Sequence, residues 1–221
     1  MQRSKIEWTG YSWNPIRGIC PVDCKTPDGK SYCYARKIYG RFHLNKKPRI
    51  SFDEIVAPRK LKYPAKIFVC STHELFHSSI PNTVRNKIFE VIEECPQHVF
   101  QILTKFPQNI DRPMPDNVWL GVTITGNEVF DRYQGLLDAD AKIKFVSFEP
   151  IFRPIYLPLR INWAIIGRLT GHGHKYDPSL SLLEIMVNTY KVNHVPVFLK
   201  NNLQKIWGEP LIQEYPENRK D

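Results

Sequence analysis

Three of the five cysteines fall within fourteen residues, and this stretch is the part of the chain best suited to chemistry. Cys20 and Cys24 are separated by three residues, and Cys33 follows a polar insert of eight residues. Three thiolates on one loop suit an iron–sulfur cluster with one open iron, or a zinc ion completed by a histidine such as His43. The chain lacks the second cysteine pair of most zinc sites. Spacing alone leaves open the cluster, the zinc ion and cysteines that bind nothing.

The cysteine count and the start of the chain bear on where the protein works. Five cysteines is an odd number, and no apolar segment follows the first residues. Such a chain is expected to be cytoplasmic, with thiols that are reduced, buried or bound to metal. A membrane span needs about 18 consecutive apolar residues, and the sequence contains no such run. We therefore expect no membrane partner.

Positive charge is concentrated around and just after the cysteines. The net charge is +9, and eleven lysine and arginine residues lie between positions 25 and 63, with the aromatic residues Tyr32, Tyr34, Tyr39, Phe42 and Tyr63 interleaved. Cations bind phosphates and aromatic rings stack on bases, so this composition favours a nucleic-acid partner. A basic face that is merely solvated is the alternative interpretation.

Short apolar runs alternate with helix-like patterns along the rest of the chain. A first strand over 6–16 leads into the cysteine loop, and a helix from Ser31 places Cys33 near its first turn, where amide donors favour a thiolate. Further helices are predicted from about Ser79, around 129–137 and around 183–190. Cys70 and Cys95 are assigned to the core. Six more strands are predicted at 66–71, 98–103, 117–124, 143–148, 163–167 and 195–199.

Strands that alternate with helices indicate an α/β fold with a parallel sheet. No glycine-rich dinucleotide fingerprint follows an early strand, so a partial barrel is preferred over an open nucleotide-binding sheet. We expect a single domain over 1–221. Within it, 1–64 holds the first strand, the cysteine loop and a basic excursion, 65–200 holds regular β/α units, and 201–221 is a C-terminal tail.

A barrel makes a specific prediction about the polar residues just past each strand, which should converge on one mouth. Metal ligands, carboxylates and amines are well represented among them. The residues are Cys20, Cys24, Cys33, Ser71, Thr72, His73, Glu74, Thr104, Lys105, Thr123, Thr125, Ser147, Glu149, Arg168, His172 and His174. For Thr72 to Glu74 the alternative is that they cap the next helix.

The cysteine loop resembles that of the radical S-adenosylmethionine (SAM) superfamily. Cys20 and Cys24 keep the C-x3-C spacing of that superfamily, and the aromatic Tyr32 stands directly before Cys33. The usual second gap is two residues, whereas here it is eight. The resemblance implies an α/β fold of the partial (β/α)6-type TIM barrel kind, with parallel strands.

A second resemblance covers almost the whole chain. It is to a phage-associated family that is itself radical-SAM-like and has no assigned substrate, and spore photoproduct lyase, a DNA repair enzyme, is a distant analogue. This sequence departs from the family in its cysteine spacing, and it reads Gly167-Arg168-Leu169-Thr170-Gly171 where the family tends to have Gly-Gly-Glu-Ser-Gly. The resemblance is carried by Ile6-Glu7-Trp8-Thr9, Trp13-Asn14-Pro15, Cys33-Tyr34-Ala35, Leu75-Phe76-His77, 96–105, 117–122 and Ser147-Phe148-Glu149-Pro150.

These resemblances imply a role for each group of candidates. Cys20, Cys24 and Cys33 would ligate a [4Fe-4S] cluster whose open iron chelates SAM, and Glu74 would accept a hydrogen bond from the SAM ammonium. The other implied cofactor-binding residues are Ser71, Thr72, His73, Thr123, Ser147 and Glu149. The catalytic candidates are Lys105, His172 and His174.

The implied activity is reductive cleavage of SAM to a 5′-deoxyadenosyl radical. The basicity and the resemblance to a phage-associated family favour nucleic acid as the target, for repair or base modification, and a peptide or a small metabolite stays open. A flavodoxin or ferredoxin is the implied electron donor. Two other hypotheses stay open: a zinc-stabilised nucleic-acid-binding module, and a degenerate barrel that acts as an interaction partner. The sequence gives neither the substrate nor the oligomeric state.

Overall fold

A computed structural model describes residues 1–126, 129–155, 160–208 and 210–216. The chain divides into two compact units, 1–118 and 119–221. No helix in the described part of the chain is long and apolar enough to cross a membrane.

The first unit combines a short parallel sheet with helices. Its strands are β1 (Gln2–Arg3), β2 (Tyr11–Trp13), β3 (Ile16–Arg17), β4 (Arg49–Ile50), β5 (Lys66–Val69) and β6 (Val99–Thr104), and its helices are α1 (Tyr34–Arg41), α2 (Phe52–Ile55) and α3 (Asn82–Glu93). Strand β2 pairs in parallel with β5, and β5 pairs in parallel with β6. Strand β1 is antiparallel to β2, while β3 and β4 form a separate antiparallel pair.

Burial on both faces explains why β5 and β6 are nearly continuous apolar runs. Ile67, Phe100 and Ile102 are fully buried in these strands, and Ile88 of α3 is also fully buried. Trp13 ends β2 with no exposed surface, and its indole N–H donates to the carbonyl oxygen of Glu54 at 2.6 Å. This contact ties the first parallel strand to α2.

The second unit is also built from parallel strands and helices. It contains β7 (Val118–Thr123), α4 (Val129–Asp138), β8 (Ile143–Phe148), β9 (Trp163–Ile166), α5 (Leu180–Val192), β10 (Val197–Leu199) and α6 (Gln204–Trp207). Strand β8 pairs in parallel with β7 and β9, and β9 pairs in parallel with β10. Trp163 is fully buried at the centre, with rings of Trp119, Phe145 and Phe198 around it.

The predicted α/β class with mostly parallel strands is confirmed. Six predicted strands correspond to β5 through β10, but the prediction of one strand over 6–16 is wrong, because only Tyr11–Trp13 pairs with β5. The Ser4 amide donates to the Gly10 carbonyl at 3.0 Å, so residues 5–9 form the turn between β1 and β2. Pro15 has no amide hydrogen to continue the ladder.

Two helix boundaries also differ from the prediction, and the first is that of α1, which begins at Tyr34 and not at Ser31. Helix α3 begins at Asn82, after Pro81, and not at Ser79. Proline suits the start of a helix because its missing N–H costs nothing there. The predicted tail 201–221 contains α6; residues 209 and 217–221 of that tail lie outside the described residues.

Candidate functional site

Cys33 stands directly before α1, as the sequence predicts. The Cys24 thiol donates to the Cys33 sulfur, and the amides of Arg36 and Ala35 donate to the same sulfur. These donors stabilise the thiolate more than burial destabilises it, and they lower the pKa of Cys33 to about 6. The Cys33 thiol therefore ionises more readily than the thiols of Cys20 and Cys24.

The insert between Cys24 and Cys33 folds back on itself. Lys25 and Ser31 form an antiparallel bridge, and the Thr26 amide donates to the Lys30 carbonyl at 2.9 Å. The Thr26 hydroxyl in turn accepts from the Lys30 amide at 3.0 Å. The chain then returns to its starting point, since the Tyr32 amide donates to the Cys24 carbonyl at 2.9 Å. Eight inserted residues thus leave Cys24 in contact with Cys33.

Cys20 is buried in the segment that precedes this hairpin. Burial raises the pKa of its thiol, and the nearby charge of Glu74 acts in the same direction. The amides of Val22 and Glu74 donate to its sulfur and partly offset this effect. Its carbonyl oxygen accepts from the Arg36 guanidinium at 3.1 Å, which fastens Cys20 to α1.

The segment after β5 turns toward the cysteines at Cys70. This residue has a φ of 54°, in the left-handed region that costs energy for a residue other than glycine. Asn14 then holds the segment in place: its side-chain oxygen accepts from the Thr72 amide at 3.1 Å, and its amide donates to the Ser71 hydroxyl at 3.1 Å. Tyr34 of α1 donates to the Ser71 carbonyl at 2.9 Å.

Glu74 is buried, and its carboxylate is held by the end of β6. One oxygen accepts from the Thr104 hydroxyl at 2.6 Å and the other accepts from the Lys105 amide at 2.9 Å. Lys105 also lies close enough to Cys24 for its charge to oppose the raised pKa of that thiol. Helix α3 begins at Asn82, directly after Pro81, so the alternative in which Thr72 to Glu74 cap it is wrong.

His73 is buried between the backbone of Ile19 and that of Glu74. Burial lowers its pKa, so the ring is neutral at pH 7. Within the described residues, neither ring nitrogen makes a hydrogen bond of normal length and angle. Its neighbours place it against the segment that leads into Cys20.

The first unit therefore brings the predicted residues Cys20, Cys24, Cys33, Ser71, Glu74 and Lys105 to one place. Across the described ranges, no three side chains of histidine, cysteine, aspartate or glutamate are arranged around a point where one metal ion would sit. Three thiols of one loop, with amide donors to the sulfurs of Cys20 and Cys33, are of the chemical type that a [4Fe-4S] cluster takes as ligands.

The candidates of the second unit form two groups. Thr123 and Ser147 are buried partners on neighbouring strands β7 and β8. Past the end of β8, Glu149 pairs with Lys200, and both side chains lie against Gly167. A Cβ on Gly167 would approach the Lys200 side chain to 2.9 Å, so glycine leaves room for this ion pair.

Arg168 stands where the resembling family tends to have glutamate, and it has partners of its own. Its guanidinium binds Asp177 at 2.6 Å and the Asn202 carbonyl at 2.8 Å. The exposed His174 binds the other Asp177 oxygen at 2.7 Å, and His172 pairs with His174 through a backbone bridge. Burial raises the pKa of Asp177, but the hydrogen bonds from His174 and Arg168 outweigh it and the pKa is lowered.

Sequence reasoning missed three residues that position these candidates. Asn14 holds Ser71 and Thr72, Lys200 neutralises Glu149, and Asp177 joins Arg168 to His174. Asn14 had a signal, since a buried amide just before a proline at a strand end is placed to bind neighbouring backbone. No sequence signal marked Lys200 or Asp177. The partner of Lys200 is distant in sequence, and the partners of Asp177 lie in an irregular loop.

Comparison with known proteins identifies a family whose function is unknown. No curated protein and no solved structure matches the chain. A family model described as "Protein of unknown function (DUF5131)" matches residues 3–209, which is most of the chain. The chain therefore belongs to the DUF5131 family of proteins of unknown function.

Proposed function

We propose that this protein is a radical SAM enzyme that acts on nucleic acid, with a [4Fe-4S] cluster held by Cys20, Cys24 and Cys33. Bound there and reduced by a donor such as flavodoxin or ferredoxin, the cluster would supply the electron for reductive cleavage of SAM to methionine and a 5′-deoxyadenosyl radical that takes hydrogen from the substrate. The parallel strands are proposed to form the partial (β/α)6-type TIM barrel of that superfamily.

The observation that supports this proposal most is the arrangement of the three thiols. They come from one loop, and the folded insert returns Cys33 to Cys24 despite the long gap. Backbone amides donate to the sulfurs of Cys20 and Cys33. Such donors stabilise thiolate ligands and tune the potential of an iron–sulfur centre.

Glu74 is the proposed binding residue for the SAM ammonium group. Its Oε1 accepts two protein hydrogen bonds, from the Thr104 hydroxyl and the Phe76 amide, whereas its Oε2 accepts one, from the Lys105 amide. A lone pair of Oε2 is therefore open to the ammonium. Its backbone amide donates to the Cys20 sulfur, which puts this acceptor beside the proposed cluster. A buried carboxylate is stabilised by a cationic partner, and the ammonium provides one. The cofactor-binding roles of Thr123, Ser147 and Glu149 and the catalytic roles of Lys105, His172 and His174 stay predictions.

Anaerobic reconstitution with iron and sulfide tests the proposal. The full-length protein should turn brown, bind about four irons per chain, and convert SAM to 5′-deoxyadenosine when dithionite is added. Chromatography detects that product directly. Cys33→Ala should lose both the colour and the product, whereas Glu74→Gln should keep the colour and lose most of the product.

Cys95→Ala is the matched control, because Cys95 is a buried cysteine beyond α3 and outside the proposed ligand set. It should reconstitute like the unchanged protein. Stoichiometric zinc without SAM cleavage would contradict the proposal and favour the zinc-stabilised module. A protein that binds neither metal after reconstitution would favour the degenerate barrel.

A further inference from the structure

The segment from Arg41 to Arg49 is a continuous exposed stretch in which every residue faces solvent. It contains four cations, and no acidic residue occurs between positions 36 and 49. The wider region 25–63 holds eleven basic and three acidic residues, which accounts for nearly all of the net charge of +9. The charge of the molecule is therefore concentrated in one region of the first unit.

Large apolar side chains are exposed among these cations. Phe42 is 61% exposed and Leu44 is 44% exposed. The Arg41 guanidinium lies over the Phe42 ring, 5.5 Å from its centre. An aromatic ring left in water beside cations is a feature of surfaces that bind a partner, whereas a merely solvated face has no need of it.

The backbone holds this segment against the cysteine loop. Arg49 pairs with Arg17 in the β3–β4 ladder, and the Ile19 amide donates to the Lys46 carbonyl at 3.0 Å. A Cβ on Gly18 would come within 2.7 Å of the Lys47 carbonyl oxygen, so the two stretches touch. Cys20 follows directly, and a chain bound along the segment would run beside the proposed cluster.

The Arg49 side chain stabilises the turn in this segment through a hydrogen bond. Its guanidinium donates to the Asn45 carbonyl at 3.1 Å, and the Asn45 side chain accepts from the Lys47 amide at 3.0 Å. These bonds order the turn that carries Lys46 and Lys47. A preformed turn loses less entropy on binding than a disordered one.

We propose that the segment 41–49 is a binding surface for single-stranded nucleic acid, with Arg41, Lys46 and Lys47 on the phosphates and a base stacked on Phe42. An acidic protein, such as an electron donor, would satisfy the cations and leave the exposed ring without a matching group. A nucleic acid presents both a phosphate chain and flat bases. This inference rests on the proposed function only in naming the substrate class, since binding here does not require the cluster.

Fluorescence anisotropy of labelled 20-nucleotide oligo(dT) and oligo(U) tests the surface on the full-length apo protein. Binding should weaken steeply as salt rises, because phosphate contacts release counterions. Lys46→Glu with Lys47→Glu should weaken binding about tenfold or more. Phe42→Ala should weaken it about fivefold or more at unchanged charge. Comparison of the two oligonucleotides shows whether DNA or RNA is preferred.

Two controls distinguish binding at this surface from a general effect of net charge and from an effect of the proposed cluster. Lys191→Glu with Lys205→Glu makes the same change in charge at exposed sites of the second unit and should leave the affinity within about twofold. Cys33→Ala should bind as well as the unchanged protein, so loss of SAM cleavage and loss of binding are independent results. Circular dichroism confirms that each variant is folded.

Three outcomes would overturn the inference. The first is that the Lys46/Lys47 double variant weakens oligonucleotide binding no more than the Lys191/Lys205 double variant does. The second is that Phe42→Ala binds the oligonucleotide with unchanged affinity. Alternatively, polyglutamate would displace the oligonucleotide at the same charge concentration, which would assign the surface to an acidic protein.

Discussion

At the scale of single residues, Cys33 and its neighbours set the reactivity of the cysteine loop. The thiol of Cys24 and the amides of Arg36 and Ala35 lower the pKa of Cys33 to about 6, while burial raises that of Cys20. Two cysteines of one loop therefore differ in how readily their thiols ionise. The difference follows from hydrogen bonds to sulfur that no spacing rule describes.

This difference predicts the pH dependence of alkylation in the apo protein. A lowered pKa means that the Cys33 thiolate forms as pH rises through about 6, well below the ordinary value of 9.0, so iodoacetamide labelling of Cys33 should rise with a midpoint near pH 6. Cys20 should still be poorly labelled at pH 8. Mass spectrometry of tryptic peptides gives both rates. Cys24→Ala removes the donor and should move the Cys33 midpoint upward; an unmoved midpoint would contradict the assignment.

Glu74 gives a second prediction, about stability. Thr104→Val removes the hydroxyl that donates to the buried carboxylate while keeping the shape of the side chain. A buried charged group that loses a partner should cost about 1–3 kcal/mol of unfolding free energy. Urea denaturation measures the loss. Thr189→Val is the control, because its hydroxyl donates to the Ile185 carbonyl on the exposed face of α5 and its removal should cost much less. Equal losses would show that Glu74 does not depend on Thr104.

At the scale of elements, the close packing of β7 against β8 limits the size of the side chains that these strands can carry. Gly121 lies in β7 against the Phe145 ring of β8, where a Cβ would overlap the ring. Phe145 is itself packed against Trp163 and cannot move freely. The glycine is therefore a packing requirement at a fully buried strand.

Replacement of two glycines by alanine tests this argument. Gly121→Ala should lower the unfolding free energy by about 1–3 kcal/mol through overpacking. Gly40→Ala in α1 meets no atom within 4 Å and should instead raise it by about 0.5–1 kcal/mol, because alanine favours the helix. Thermal and urea unfolding report both signs. A neutral Gly121→Ala would mean that the strands separate more easily than their packing indicates.

At the scale of the whole molecule, the charge is unevenly distributed, with nearly all of the excess in 25–63. The Lys46/Lys47 and Lys191/Lys205 double variants lower the net charge equally and should have the same isoelectric point. Only the first should elute from heparin at clearly lower salt, because local charge density governs binding to a polyanion. Identical elution would show that the net charge alone matters.

Much of this molecule was predictable because the strands are buried on both faces. Apolar runs such as Ile67–Val69 are long enough to be recognised, and the stripe of α5 at Leu183, Met186, Val187 and Tyr190 is buried as its period predicts. The short strands β1, β3 and β4 were missed because two-residue pairings leave no periodic pattern. They form through contacts between distant segments.

The candidate site also has a part that could be predicted from the sequence and a part that could not. Residue types placed the cysteines, Glu74 and Lys105 at strand or helix ends, and the fold of the first unit brings them together. Sequence gave no sign of the contact between Cys24 and Cys33 or of the partners that Glu149 and Asp177 find. Those contacts depend on how loops fold, and loop conformation has no simple period.

Because the hairpin of residues 25–31 closes on itself, Cys24 and Cys33 lie close in space although they are far apart along the chain. Its two ends meet, so residues added or removed at its tip need not disturb the thiols on either side. A motif written as a fixed count of residues would reject such a loop, whereas one written as two thiols flanking a self-closing turn would accept it. Relatives of this protein are best sought with a pattern in which that gap is free to vary.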